Sequence, residues 1–235
     1  MQNEGESGFV SVARVQARIL SLTFTRGDLQ ALGRRHLLYG LLVVWAVGLG
    51  RYWDHPDPYL VQALGLGSLA VLVALAGFLY LALLPLRPAR WSFVHLLTFL
   101  SLTALPALLY AIPVERGIDL ASARVVNAWF LGVVAVWRVG MLARYLSVWT
   151  GLSGPVLAAA LLLPLALVVV ALTLLNLEQA VFNVMAGLRE DGTPGDVAYL
   201  VLFLITGTSF AVSPVLALLY AFAIWQRAKA ARNAA

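Results

Sequence analysis

Between Gly50 and Pro58 the chain reads GRYWDHPDP, its densest run of chemically capable side chains. A histidine beside a carboxylate is an acid–base pair in kind. His55 would need Arg51, Asp54, Glu115, Arg116 and Glu178 to gather round it. Such a set would act on lipid or envelope substrates at the outer face of a membrane, because the stretches that separate these residues are apolar. A second set is placed for passage rather than bond-making. Arg138 lies inside an apolar run, and an ionisable residue there is a functional-site candidate by default. Thr206, Thr208 and Ser209 belong to TGTSFAVSP (Thr206–Pro214), where hydroxyls and a glycine near a proline can re-satisfy a broken backbone ladder. That stretch is expected to be irregular and to face a cavity. Arg138 is six residues deeper than Arg144, about 9 Å of helix, within snorkelling reach of the inner headgroups. No Asp or Glu falls within any expected span, which argues against a proton relay.

Other chemistries fail on residue type or spacing. The chain has no cysteine, which removes disulfides, thiolate metal sites and cysteine nucleophiles together. His55 falls on the opposite face from His36 and His95, so at most two histidines can meet, fewer than a zinc site needs. GLSG (Gly151–Gly154) resembles the serine motif of rhomboid intramembrane proteases. A rhomboid places its histidine base on a later span, whereas all three histidines here precede Ser153. The glycines therefore read as small residues opening a packed helix before Pro155. LGLGS (Leu64–Ser68) lies within an apolar run where no phosphate would go. No cofactor or metal is implied.

The elements that must position these residues are membrane helices. Of the 235 residues 62% are hydrophobic and 11% charged, with mean hydropathy +0.89, against about 25% charged in soluble domains. The expected fold is an all-α integral membrane protein with six transmembrane helices at 36–53, 60–84, 92–113, 125–146, 153–176 and 198–225. An N-terminal segment (1–35) precedes the membrane domain (36–226), and a basic tail (227–235) follows it. With the N-terminus inside, the inner side holds twelve basic and three acidic residues and the outer side four and eight, the positive-inside pattern. The net charge of +5 is thus a topology signal rather than a nucleic-acid footprint. Both termini are expected in the cytoplasm of a bacterium, the chain sitting in its inner membrane. Arginine supplies fifteen of the sixteen basic residues, which reads as a GC-rich genome.

Phe9, Val12, Val15, Ile19 and Leu22 recur every three or four residues, with Arg14 and Arg18 on another face. That pattern predicts an amphipathic helix on the inner leaflet; a helix that docks on a partner would show the same pattern. Asp28 is placed to cap the first span, and the outer loop 178–197 to hold a short helix and an acidic turn. The first charge-free run, His36 to Gly50, has only fifteen residues, about 22 Å against a core of about 30 Å. The helix nearly spans if it runs on through Trp53. Tyr52 and Trp53 then form the aromatic belt, Pro56 and Pro58 end the helix, and Arg51 is forced outward to seek a carboxylate.

Three sequence pairs join spans one to three with four to six in order: VVWAVGLGRY (43–52) with VVAVWRVGMLARY (133–145), GLGSLAVLVAL (65–75) with GLSGPVLAAAL (151–161), and PALLYA (106–111) with PVLALLYA (214–221). An inverted-topology repeat would look like this. Three functional readings stay open. The leading one is a non-enzymatic accessory or scaffold subunit, with the bilayer and a membrane protein or a second copy as partners. The others are a small-solute transporter or channel built as a three-plus-three repeat, and a membrane enzyme with its site on the outer face.

Overall fold

The computed structural model describes residues 3–53, 60–88, 90–175, 177 and 196–233, and every regular element among them is a helix. The amphipathic helix α1 (Asn3–Leu20) leads through a turn into the short α2 (Arg26–Gln30). A reciprocal capping box starts α2: the Asp28 amide donates to the Thr25 hydroxyl, and the Thr25 amide donates to the Asp28 carboxylate at 2.8 Å. Asp28 therefore belongs to α2 and does not cap the first long apolar helix, α3 (Arg34–Tyr52). That helix begins at Gly33, whose amide donates to His36 Nδ1 at 3.3 Å.

The second apolar run is divided into α4 (Leu60–Ala63) and α5 (Leu66–Leu83) by Gly65, which sits at φ 67°. A side chain at Gly65 would also meet the Trp45 carbonyl at 2.8 Å, so both backbone shape and close approach require glycine. The third run breaks too. Helix α6 (Phe93–Leu102) gives way to a 3-10 run, Leu105–Ala111, at a bend of 47°. Pro106 has no amide to offer the Leu102 carbonyl one turn back, so the α-helical ladder stops there. Helix α7 (Leu120–Thr150) starts at Asp119, whose carboxylate accepts the Ser122 amide, and ends at Gly151 with φ 71°. Helices α8 (Gly154–Leu174) and α9 (Asp196–Asn233) complete the chain.

Among the described residues, four helices are long and apolar enough to cross a membrane, or five when the bent pair around Thr103 counts as one span. The expected count was six. The helix that drops out is α3, whose apolar stretch is flanked by Arg34, Arg35 and His36 at one end and Arg51 at the other. The 206–214 stretch also differs from expectation. Helix α9 runs unbroken through Pro214, with the Ser213 hydroxyl bonded to the Ser209 carbonyl one turn back. The irregular backbone lies instead at 103–111.

Helices α3, α5 and α6 pack mutually, whereas α9 lies mainly along α8 with α7 to the side, so the two halves pair differently. Their outer surfaces are apolar: Val71, Leu81, Val136, Leu174, Phe203 and Leu218 are all exposed, as lipid-facing residues should be. The core holds an unexpected contributor. Ile19, Phe24 and Leu29 of the N-terminal segment are fully buried with Phe99, Met141 and Tyr145.

Candidate functional site

The polar centre of the molecule is the seat of the N-terminal segment. On α1 the buried stripe is Val12, Gln16 and Ile19, turned against the bundle by α3 and α6. Gln16 donates through Nε2 to the Leu102 carbonyl at 3.1 Å, the group that Pro106 leaves without a backbone donor. Its Oε1 accepts the Tyr39 hydroxyl of α3 at 2.6 Å. A single amide thus closes the break in α6 and ties three helices together. The lower part of the segment is held in the same manner. The Trp137 indole donates to the Leu20 carbonyl at 2.8 Å, and the Arg144 guanidinium to the Phe24 carbonyl at 2.9 Å while lying over the Phe24 ring.

His95 anchors a second cluster. Its Nε2 is 2.9 Å from the Leu29 carbonyl and its Nδ1 2.8 Å from the Tyr145 hydroxyl. A carbonyl can only accept, so Nε2 carries the proton and Nδ1 accepts from Tyr145. The ring stacks on Trp149 with centroids 4.1 Å apart, and the Trp149 indole donates to the Arg90 carbonyl. Both nitrogens are engaged, so this imidazole is a structural cross-link between α2, α6 and α7. His36 differs. With Nδ1 taken by the Gly33 amide, its buried Nε2 has no hydrogen-bond partner among the described residues.

At the edge of the seat, Arg18 donates to Asp28 at 2.6 Å. Burial pushes the Asp28 carboxyl up, but bonds from the Thr25 amide and hydroxyl and from Arg18 outweigh it and hold the group below its ordinary value of 3.8. A depressed carboxylate stabilises the fold above its unfolded-state value and loses that contribution as pH falls through the folded one. Unfolding titrations in detergent should therefore show about 1 kcal/mol lost below pH 4. Asp28→Asn should start lower and lack this acid step; an unchanged step would assign it to other groups.

The outer cluster is described in part. Asp54, His55 and Glu178 lie outside the described residues, and Arg51 and Glu115 are placed by their backbone alone, at the end of α3 and in the 3-10 turn Val114–Arg116. Arg116 lies 4.8 Å over the Trp53 ring, and the Trp53 indole donates to the Ala111 carbonyl at 2.9 Å. An aromatic–guanidinium clasp thus closes the ends of α3 and the 3-10 run. The pathway residues do not gather. Thr208 and Ser209 line an open, largely apolar groove of about 520 Å³ between α8 and α9, and Thr206 does not line it. Arg138 is absent from that lining and lies half-buried on α7 within electrostatic reach of Tyr110.

The indole donors follow one rule. Five of the seven tryptophans donate their indole to a backbone carbonyl of another element: Trp45 to Leu64, Trp53 to Ala111, Trp91 to Tyr80, Trp137 to Leu20 and Trp149 to Arg90. Tyr220 donates to Ala82 and Arg227 to Leu86 in the same way. Most of these acceptors are at helix ends, where carbonyls lack an intrahelical donor. The available signal was Gln16, a lone amide in register with Val12 and Ile19 on an otherwise apolar stripe. No protein-family model, curated protein or solved structure matches the chain.

Proposed function

We propose that the chain is a multi-pass protein of a bacterial inner membrane, with both termini in the cytoplasm, acting as a non-enzymatic scaffold subunit. In this reading the membrane domain comprises six crossings, α3 being a short first one that Trp53 and the neighbouring outer-face residues complete. The observation that carries it is the use made of the polar side chains. Gln16, Tyr39, His95, Arg144, Arg227 and five indoles act as donors that close helix ends or fasten one element to another. A chain whose donors are committed in this way is a rigid frame, and the long apolar face of α9, of which only 11% of the spanning window is buried, is left for a partner or a second copy. The transporter reading draws on a different observation, the broken span around Thr103 beside the intramembrane Arg138, since discontinuous helices mark many transport sites.

Two measurements decide between them. The natural chain lacks cysteine, so single cysteines report sidedness directly. Gly117→Cys should react with a membrane-impermeant maleimide added to spheroplasts, whereas Arg87→Cys should react only in inverted vesicles. The opposite result reverses the topology. In proteoliposomes, a frame should give no saturable flux of inorganic ions, amino acids or sugars above that of empty vesicles. Saturable, protein-dependent flux abolished by Arg138→Gln would replace the scaffold reading by the transporter.

A further inference from the structure

The N-terminal segment reaches groups well inside the ends of the long helices. Leu102, which Gln16 reaches, is nine residues along α6 from Phe93, about 14 Å of helix. Trp137, which reaches Leu20, is seven residues deeper along α7 than Arg144, about 10 Å. Phe24 then lies beside Phe99 and Arg144, and Leu29 beside His95, so the chain turns back toward the inner end. Residues 12–30 therefore form a re-entrant hairpin in the inner half of the bundle.

Its exposed face has the wrong chemistry for hydrocarbon. Arg14, Arg18, Ser21, Thr23, Thr25 and Arg26 are all exposed there, whereas the apolar stretches of α5, α8 and α9 expose large hydrocarbon side chains such as Val71, Leu167, Phe203 and Leu218. Non-helical backbone such as the 21–25 turn is not found against lipid tails at membrane depth. The charge of this face is one-sided as well. Asp28 is its one carboxylate among the described residues, and it is buried against Arg18; Arg14 lies a turn from Arg18, and Arg144 reaches the same turn from α7. Leu22, held at φ 59° and exposed among the polar groups, is the apolar exception.

We propose that this flank is a water-accessible, electropositive notch in the cytoplasmic half of the membrane, and that it takes the phosphate of an anionic phospholipid headgroup. The inference rests on the inward orientation of the N-terminus proposed above. Each guanidinium near an anionic surface contributes about 1 kcal/mol, so the notch draws in the headgroup rather than exposing arginines to tails, and Leu22 meets the top of an acyl chain.

The test is reagent accessibility in inverted vesicles, with Val71→Cys on α5 as the lipid-facing control. Ser21→Cys and Thr23→Cys should react with water-soluble methanethiosulfonates while Val71→Cys does not. The anionic reagent should react about 5-fold faster than the cationic one. Arg14→Gln with Arg26→Gln should abolish that preference, and the lysine versions should keep it. In nanodiscs, phosphatidylglycerol should slow the labelling relative to phosphatidylcholine. Protection by inorganic phosphate but not by phosphatidylglycerol would overturn the headgroup as occupant. Labelling of Ser21→Cys no faster than Val71→Cys, or without charge preference, overturns the notch. Labelling only from the outer side of intact cells refutes the topology beneath it, and the Gly117→Cys result shows that failure independently.

Discussion

Gln16→Leu should destabilise the protein by about 3 kcal/mol, more than any other single polar substitution outside the His95 cluster. Leucine fills the site but offers neither donor nor acceptor, so the buried Leu102 carbonyl loses the Gln16 amide and the Tyr39 hydroxyl loses the Gln16 oxygen it donates to. An unsatisfied buried group costs about 1–3 kcal/mol. Bonds between membrane helices are typically weaker, averaging about 0.6 kcal/mol, because the unpaired groups find substitutes. Here the natural substitute is missing, since residue 106 is proline. Pro106→Ala supplies an amide one turn after Leu102, so in that background Gln16→Leu should cost less than about 1 kcal/mol. SDS-titration unfolding of the four variants gives the coupling directly. Equal costs in the two backgrounds would show that Gln16 does not stand in for the missing backbone donor.

Gly40→Ala should be nearly as damaging, by about 2–3 kcal/mol, although alanine is the better helix former by about 1 kcal/mol. A methyl on Gly40 would fall 2.0 Å from the Ser101 hydroxyl and 2.8 Å from its Cβ, where α3 and α6 cross. Ser101→Gly removes both obstructing atoms and should recover most of the loss. Gly48→Ala meets the carbonyl of Gly65 at 2.7 Å, a backbone atom, and no side-chain change should rescue it. If Gly40→Ala unfolds at the wild-type midpoint, the contact is looser than these distances require.

Much of the frame was legible because apolar runs and prolines act locally. The runs that became α5, α8 and α9 needed only length and absence of charge, and the weakness of α3 was visible in its fifteen-residue core. Proline was a less certain guide. Pro106 and Pro214 look alike in sequence, yet only the first ends an α-helix; in α9 the ladder continues past Pro214, and Ser213 bonds back to Ser209. The N-terminal stripe was found, but its period cannot say which surface covers it. The observed face includes Gln16 and leaves Leu22 exposed, a rotation that favours protein over lipid. The contacts of His95, Tyr145 and Arg144 gave no signal, because their partners are backbone carbonyls 66 and 120 residues away, or each other, and carbonyl positions have no residue code.

The distance between Leu20 and Trp137 also sets an order of events during synthesis. The two are 117 residues apart, and Phe24 and Arg144 are 120 apart. At 5–20 residues per second the ribosome needs roughly ten seconds to make the second partner after the first. Throughout that interval the nascent N-terminal segment has an apolar stripe and no seat. Some other apolar surface must cover that stripe until α7 is made, so the segment passes through an earlier setting than its packed one.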